Sequence, residues 1–173
     1  FYFIGRGVFM FREMRRKNQQ LSAADSAAVL ERGTAGVLAV HGEDGYPYAV
    51  PLSYVYTPGK LYFHSALAGH KIDALRKDAK ASFCVIDQDR IVPEKFTTYF
   101  RSVIAFGTVR ILETAAEKQQ ALMCLGLRYA PEDAAGCRQE IAKAMSRTAV
   151  LEFVIEHTTG KEAIELVQAK KQG

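Results

Sequence analysis

The sequence predicts a mainly β protein, a mostly antiparallel closed barrel with flanking α-helices. Two observations point there. About six runs rich in β-branched and aromatic residues follow one another across tight turns, and only a few helical segments interrupt them. The regular strand–helix alternation of a doubly wound sheet is missing, as is any G-x-G-x-x-G, which argues against a Rossmann dinucleotide site. At 173 residues, 49% hydrophobic and 24% charged, the chain reads as one domain with a proper core.

The elements follow in order. Ser22 precedes AADSAAVLER, with Asp25 three residues on as a capping partner, and Gly33 closes this helix. TAGVLAVHGEDGYPYAVPLSYVYTPGKLYFHS then reads as three strands, with Gly42, Gly45, Pro58 and Gly59 at the turns. In the middle strand Tyr48, Val50, Leu52 and Tyr54 alternate with Ala49, Pro51, Ser53 and Val55. Pro51 cannot donate to a ladder, so it marks an edge, a bulge or a place where something else approaches. HKIDALRK is a short helix buried through Ile72 and Leu75, and KASFCVID is a strand. QDRIVPEKF reads as a loop, and TTYFRSVIAFGTVRIL as a long strand bent or bulged at Gly107. Thr114 caps the amphipathic helix TAAEKQQALMCLGLRYA, and PEDAAGCRQEIAKAMSR forms another helix. TAVLEFVIEHTTG returns to strand. The expected organisation is an N-terminal extension over 1–21, a domain over 22–168 and a frayed tail over 169–173.

Composition narrows the function classes. The net charge of +4 is mild and much of it sits at the ends, at Arg12, Arg15, Arg16, Lys17, Lys170 and Lys171. These read as solvated ends; no nucleic-acid motif accompanies them, so no nucleic-acid partner is expected. Cys84, Cys124 and Cys137 are odd in number and lack C-x-x-C spacing, which argues for reduced thiols in a cytoplasmic protein and against a structural zinc site. The opening FYFIGRGVFMF is far shorter than the ~20 apolar residues a membrane helix needs, and it lacks a signal-cleavage pattern. It does not begin with Met, while Met10 and Met14 follow; vector-derived residues or an upstream start are the expected origin.

LYFHSALAGHKIDALRK gathers two histidines, a serine and a lysine where a strand runs into a helix. A helix begins with unpaired N–H groups and partial positive charge, so this junction suits an anion. Gly69 allows close backbone approach, Ser65 offers a hydroxyl, and His70 and Lys71 occupy the first turn. Lysine there is slightly unfavourable in the helix field, and its presence points weakly to a bound anion.

DGYPYAVPLSYVYTPGKLYFHSALAGHKIDALRKDAKASFCVID, followed by TTYFRSVIAFGTVRIL, resembles the pyridoxamine 5'-phosphate oxidase-related flavoproteins, and among them the nitroimidazole-resistance-like branch. The ordered set G-x-P-x-x-x-P, Y-F-H-S, G-H-K, Y-x-S-V and F-G carries the resemblance over roughly Ala23 to Leu112, with looser similarity to the last strand. It implies an FMN-binding split β-barrel, a homodimer with two flavins at the subunit interface. The FMN phosphate is then expected at Ser65, His70 and Lys71, with His64 beside them. Ala49, Val50, Pro51 and Leu52 are expected along the isoalloxazine ring. Ser102 and Val103 complete the pocket, from the other subunit. True pyridoxamine phosphate oxidases carry an arginine-rich grip and a C-terminal arginine segment. Here the grip is His-Lys and the chain ends in TTGKEAIELVQAKKQG, so vitamin B6 oxidation is not the expected activity.

The expected function is flavin-dependent reduction of small electron-poor molecules such as nitroaromatic and nitroimidazole compounds. His70 and His64 are the candidate catalytic residues for proton delivery or substrate contact. A buried His64 satisfied by a backbone carbonyl is the alternative, and His41 and His157 read as surface residues. Tyr48, Tyr99 and Phe100 either stack on flavin or substrate or pack the barrel, and Arg101 is a candidate for a substrate anion. FAD or haem are alternative cofactors. A carrier or sensor without turnover is the alternative function, with His64 or His70 as an axial ligand.

Overall fold

The structure is a computed structural model and describes residues 11–172, so the expectations for 1–10 and for Gly173 lie outside the described residues. Its strands are β1 (Ala35–His41), β2 (Pro47–Ser53), β3 (Val55–Thr57), β4 (Lys60–Ala66), β5 (Lys80–Val92), β6 (Thr97–Ile111) and β7 (Thr148–Glu162). Its helices are α1 (Ala23–Arg32), α2 (His70–Lys77), α3 (Ala115–Tyr129), α4 (Ala134–Ala144) and α5 (Ile164–Gln172).

The strands form one seven-stranded sheet in the order β2-β1-β5-β6-β7-β4-β3. Every neighbouring pair is antiparallel. The expected closed barrel is corrected here: β2 and β3 are the two edges and do not pair with each other. Yet Tyr54 alone separates them in sequence, so the sheet must coil until its edges nearly meet there. The result is a barrel split along the rest of the seam. The run expected as one strand divides at Tyr54, one half pairing with β1 and the other with β4.

Side-chain alternation fills the inside of this coil. Leu38, Leu61, Phe63, Phe83, Val85, Val103 and Phe153 form the core, together with Val29 and Leu30 of α1 and Ile72 and Leu75 of α2. The buried Tyr54 lies with its ring centroid 5.0 Å from that of Phe83 and donates its hydroxyl to Leu30 O at 2.6 Å. On the other face of β4 and β7, a smaller cluster of Leu112, Ala121 and Val150 seats α3.

Two further expectations are corrected. QDRIVPEKF is not a loop: β5 continues to Val92 before a short turn at Pro93–Lys95. Asp87 is an extra, bulged residue between Ile86 and Gln88, and it breaks the alternation by which a strand is recognised. Ala169 to Gln172 are not frayed but continue α5, with Lys170 Nζ donating to the buried Glu162 at 2.8 Å. At the other end, Leu21 is buried and its N–H donates to Gly160 O at 2.9 Å, so the last residues of the expected extension join the domain.

Candidate functional site

The strand-to-helix junction is built by β4 and α2. Ser65 shares a face of β4 with the core residues Leu61 and Phe63, so it points inward at the strand's end. In the first turn of α2, Lys71 Nζ donates to Ser65 Oγ at 2.8 Å. Gly69, between them, has φ 128° and ψ 170°, a conformation side chains rarely adopt. No heavy atom lies within 4 Å of where its Cβ would stand, so the backbone there is open to approach.

The N-terminus of α2 also lacks a side-chain cap: the Ile72 and Asp73 N–H groups donate to Gly69 O at 2.9 and 3.1 Å, while those of His70 and Lys71 have no partner among the described residues. Ser22 caps α1, Thr114 caps α3 and Asp133 caps α4, each accepting a backbone N–H, whereas Gly69 supplies no side-chain cap. Unpaired N–H groups, a hydroxyl and an ammonium therefore converge on an open glycine, the donor set that fits a phosphate monoester.

A family model described as pyridoxamine 5'-phosphate oxidase matches residues 22–162. This chain belongs to that family. No curated protein matches it. Among solved structures, a putative 5-nitroimidazole antibiotic resistance protein from Bacteroides thetaiotaomicron superposes with a TM-score of 0.68 at 21% identity, over 83% of this chain and 86% of that one. An FAD- and haem-binding protein from Mycobacterium smegmatis gives 0.72 at 22% identity, over 84% and 73%. An FAD-binding protein from Mesorhizobium loti gives 0.58 at 25% identity, over 84% and 97%. The split barrel described above is the fold of the pyridoxamine 5'-phosphate oxidase family.

The structure separates the other expected residues of this family member. His70 leaves the cradle sideways and stacks on Tyr48, with ring centroids 4.0 Å apart and planes at 29°, tying α2 to the start of β2. His64 alternates with Ser65, so it faces away from the cradle; it is exposed, not buried against a carbonyl. On β2, Val50 and Leu52 lean on the core while Ala49 and Pro51 are exposed on the outer face. Pro51 does lie on an edge strand.

Ser102 is half-buried, and the Val103 side chain is fully buried in the core. Ser65 pairs with Ala149 and Ser102 with Lys161, so nearly the whole 15-residue β7 separates them, roughly 40 Å of strand. Within one chain Ser102 is not part of the cradle.

Arg101 is not free for a substrate anion. Its Nη1 donates to Asp87 at 3.1 Å and its Nε to the buried Glu162 at 2.9 Å. Arg32 also donates to Asp87, and these guanidinium contacts hold the Asp87 carboxyl below its ordinary range against the opposing effect of burial. Tyr99 and Phe100 face cations rather than the core: Arg90 and Lys95 each lie 5.7 Å from the Tyr99 ring, and Lys161 lies 5.1 Å from Phe100.

Two histidines expected at the surface have partners. His41 Nδ1 lies 2.7 Å from Asp78 Oδ2, and His157 stacks on Phe11 at 4.6 Å. No local spacing in the sequence signals either contact. Along the outer face of the sheet, Val37, Ile86 and Ile91 are 37%, 68% and 72% exposed, an apolar band without cover among the described residues. Among the described residues no helix is long and apolar enough to cross a membrane.

Proposed function

We propose that this chain is an FMN-dependent oxidoreductase that reduces small electron-poor substrates, nitroaromatic compounds in particular, as a homodimer with flavin at the subunit interface. The observation that carries the reading is the convergence of Lys71 and Ser65 beside the open Gly69, at the uncapped start of α2. In this reading Lys71 neutralises the phosphate, the His70 and Lys71 N–H groups at the start of α2 donate to it, and Ser65 adds its hydroxyl. Bound FMN supplies the electron transfer.

The chain's own residues position that group and handle protons. Ala49 and Pro51 offer the ring an exposed surface on β2, and Pro51 presents no N–H. His70, exposed and held against Tyr48, is the group that exchanges a proton at the mouth of the cradle. His64 takes no part, because it faces the other way. The uncovered band of Val37, Ile86 and Ile91 supports a second subunit packed on the outer face, from which Ser102 and the Val103 backbone reach the flavin.

A second reading is a carrier or sensor that binds FAD or haem without turnover. The His70 ring, exposed and without a hydrogen-bond partner among the described residues, favours it as an available axial ligand. The absorption spectrum of the purified protein separates the two. Flavin bands bleached by a reductant and restored by a nitroimidazole support the reductase. A Soret band lost in His70→Ala supports haem binding, and protein that takes up neither cofactor defeats both.

The cradle itself is tested by Lys71→Ala with FMN titrated by fluorescence quenching. Losing one charge-assisted contact, about 1.5–3 kcal/mol, lowers affinity tenfold or more. An unchanged dissociation constant overturns the phosphate assignment.

A further inference from the structure

We propose that the hairpin joining β5 and β6 is a dimerisation arm whose tip residue, Phe96, closes a cleft of about 640 Å³ on the outer face of a second copy of this chain. This placement rests on the homodimer proposed above and names the residue that each copy lends the other.

Phe96 is 98% exposed and sits at φ 49° and ψ 41°, the left-handed region. Among the described residues every other positive φ belongs to a glycine. A bulky side chain is strained there, and a ring left in water gains nothing from its own chain in return. The arm that carries it stands clear of the sheet. β1 pairs with β5 only over Ala81–Cys84, and β7 leaves β6 at Arg101, whereas β5 and β6 stay paired out to Val92 and Thr97. The four pairs from Asp89–Phe100 onward project about 13 Å beyond both neighbours. Val92 is buried on one face of this ribbon, while Ile91 on the other continues the uncovered band from Ile86 to the tip. Phe96, Ile91 and Ile86 together offer on the order of 400 Å² per copy, about half of what each partner buries in a standard interface. Val37, Cys84 and Ile104, one row across the same face, extend it.

The strand lengths select the cleft as the seat of the arm. Ile86 is the middle residue of β5, as far from Lys80 as from Val92. Packing outer face on outer face, about a two-fold axis across the strands at Ile86, sets each β5 antiparallel to its mate. The tip of one copy then lies over the start of β5 in the other, where Lys80, Ala81 and Ser82 line the cleft. Ala39, Pro47 and Phe106 make this an apolar seat for an aromatic ring. Charge agrees: the tip carries Glu94 and Lys95, the cleft carries Lys80 and Glu156, and each finds its opposite across the contact. Ala39 pairs with Ala49 on β2, so the cleft adjoins the surface offered to the flavin ring. Phe96 of the partner subunit thereby becomes one wall of that pocket, which is complete only in the dimer.

The test uses the full chain carrying Phe96→Cys and Lys80→Cys together, both at exposed positions, treated with a short bismaleimide and mapped by peptide mass spectrometry. The whole of β5 separates the two positions within a chain, so a link between them joins two copies. Covalent dimers linked from 80 to 96 are expected. Phe96→Gly, which relieves the strain and removes the ring, is expected to weaken self-association tenfold or more in sedimentation equilibrium. Lys71→Ala is expected to leave the 80-to-96 link in place whatever it does to FMN affinity, which separates the arm from the phosphate cradle. A wild-type chain that sediments as a monomer defeats the homodimer and the arm with it. A wild-type dimer whose links never join 80 to 96, or Phe96→Gly chains that associate as tightly as wild type, overturns the arm alone.

Discussion

Glu152→Gln removes one charge from a side chain that is almost wholly enclosed. Glu152 is 5% exposed on β7, yet it accepts from Lys60 at 2.8 Å, from Tyr62 at 3.1 Å and from Arg110 at 2.9 Å. Burial pushes its carboxyl upward, but the hydrogen bonds from Lys60, Arg110 and Tyr62 outweigh this and hold it below its ordinary value. Hydrogen bonds to a buried charge contribute about 1.5–3 kcal/mol. Because Lys60 and Arg110 still reach water, the loss belongs near the lower part of that range, about 2 kcal/mol. For a chain of this size that is a fall in Tm of roughly 4–8 °C. Thermal unfolding followed by circular dichroism at pH 7 measures it.

The pH dependence supplies the sharper check. A depressed carboxyl contributes its full stability above the unfolded glutamate pKa of about 4.3 and loses it as pH falls through the folded value. Wild type and Glu152→Gln should therefore converge in acid. Equal stability at pH 7, or a gap that persists undiminished under strongly acidic conditions where the fold survives, would refute the reasoning.

Two other outcomes follow from single residues. Gly69→Ala meets no neighbour but must hold φ 128°, so it should cost about 1–3 kcal/mol in urea unfolding and weaken FMN binding as the loop relaxes. Unchanged stability and unchanged FMN affinity would show that the loop does not need its glycine. The Tyr129 hydroxyl donates to Thr34 O at 2.7 Å and accepts from the Tyr54 N–H at 3.1 Å, so Tyr129→Phe should lose about 1 kcal/mol in the same assay. A neutral result would mean that Tyr54 N–H is satisfied by Thr34 alone.

Local chemistry was readable from the sequence, and contacts between distant residues were not. The Ser22–Asp25 cap spans three residues, and the Lys71–Ser65 contact spans six across one junction, so both lay within reach of a motif. The His41–Asp78 contact spans 37 residues and Lys60–Glu152 spans 92, and only the strand order brings these partners together. Glu152 lies on the face of β7 that α3 covers, so its carboxylate is enclosed with partners from β4 and β6 rather than solvated, which no local spacing in β7 could show. The polar stretch after Ile86 looked like a loop because a bulge at Asp87 shifts the period of two and because Arg90 and Ile91 are exposed on the strand. The change of sheet edge at Tyr54 leaves no mark of its own, since strand propensity continues on both sides of it.

The seam of the barrel has a consequence for how copies of this molecule can meet. An open sheet presents two unpaired borders, each able in principle to recruit a foreign strand. Here one border is only three residues long, and the other carries Pro47 and Pro51, which have no amide hydrogen to offer. Ladder extension is thus discouraged on both sides, so strand pairing along these borders is a poor route for two copies to meet. The chain can keep its seam ajar without inviting fibre growth along it.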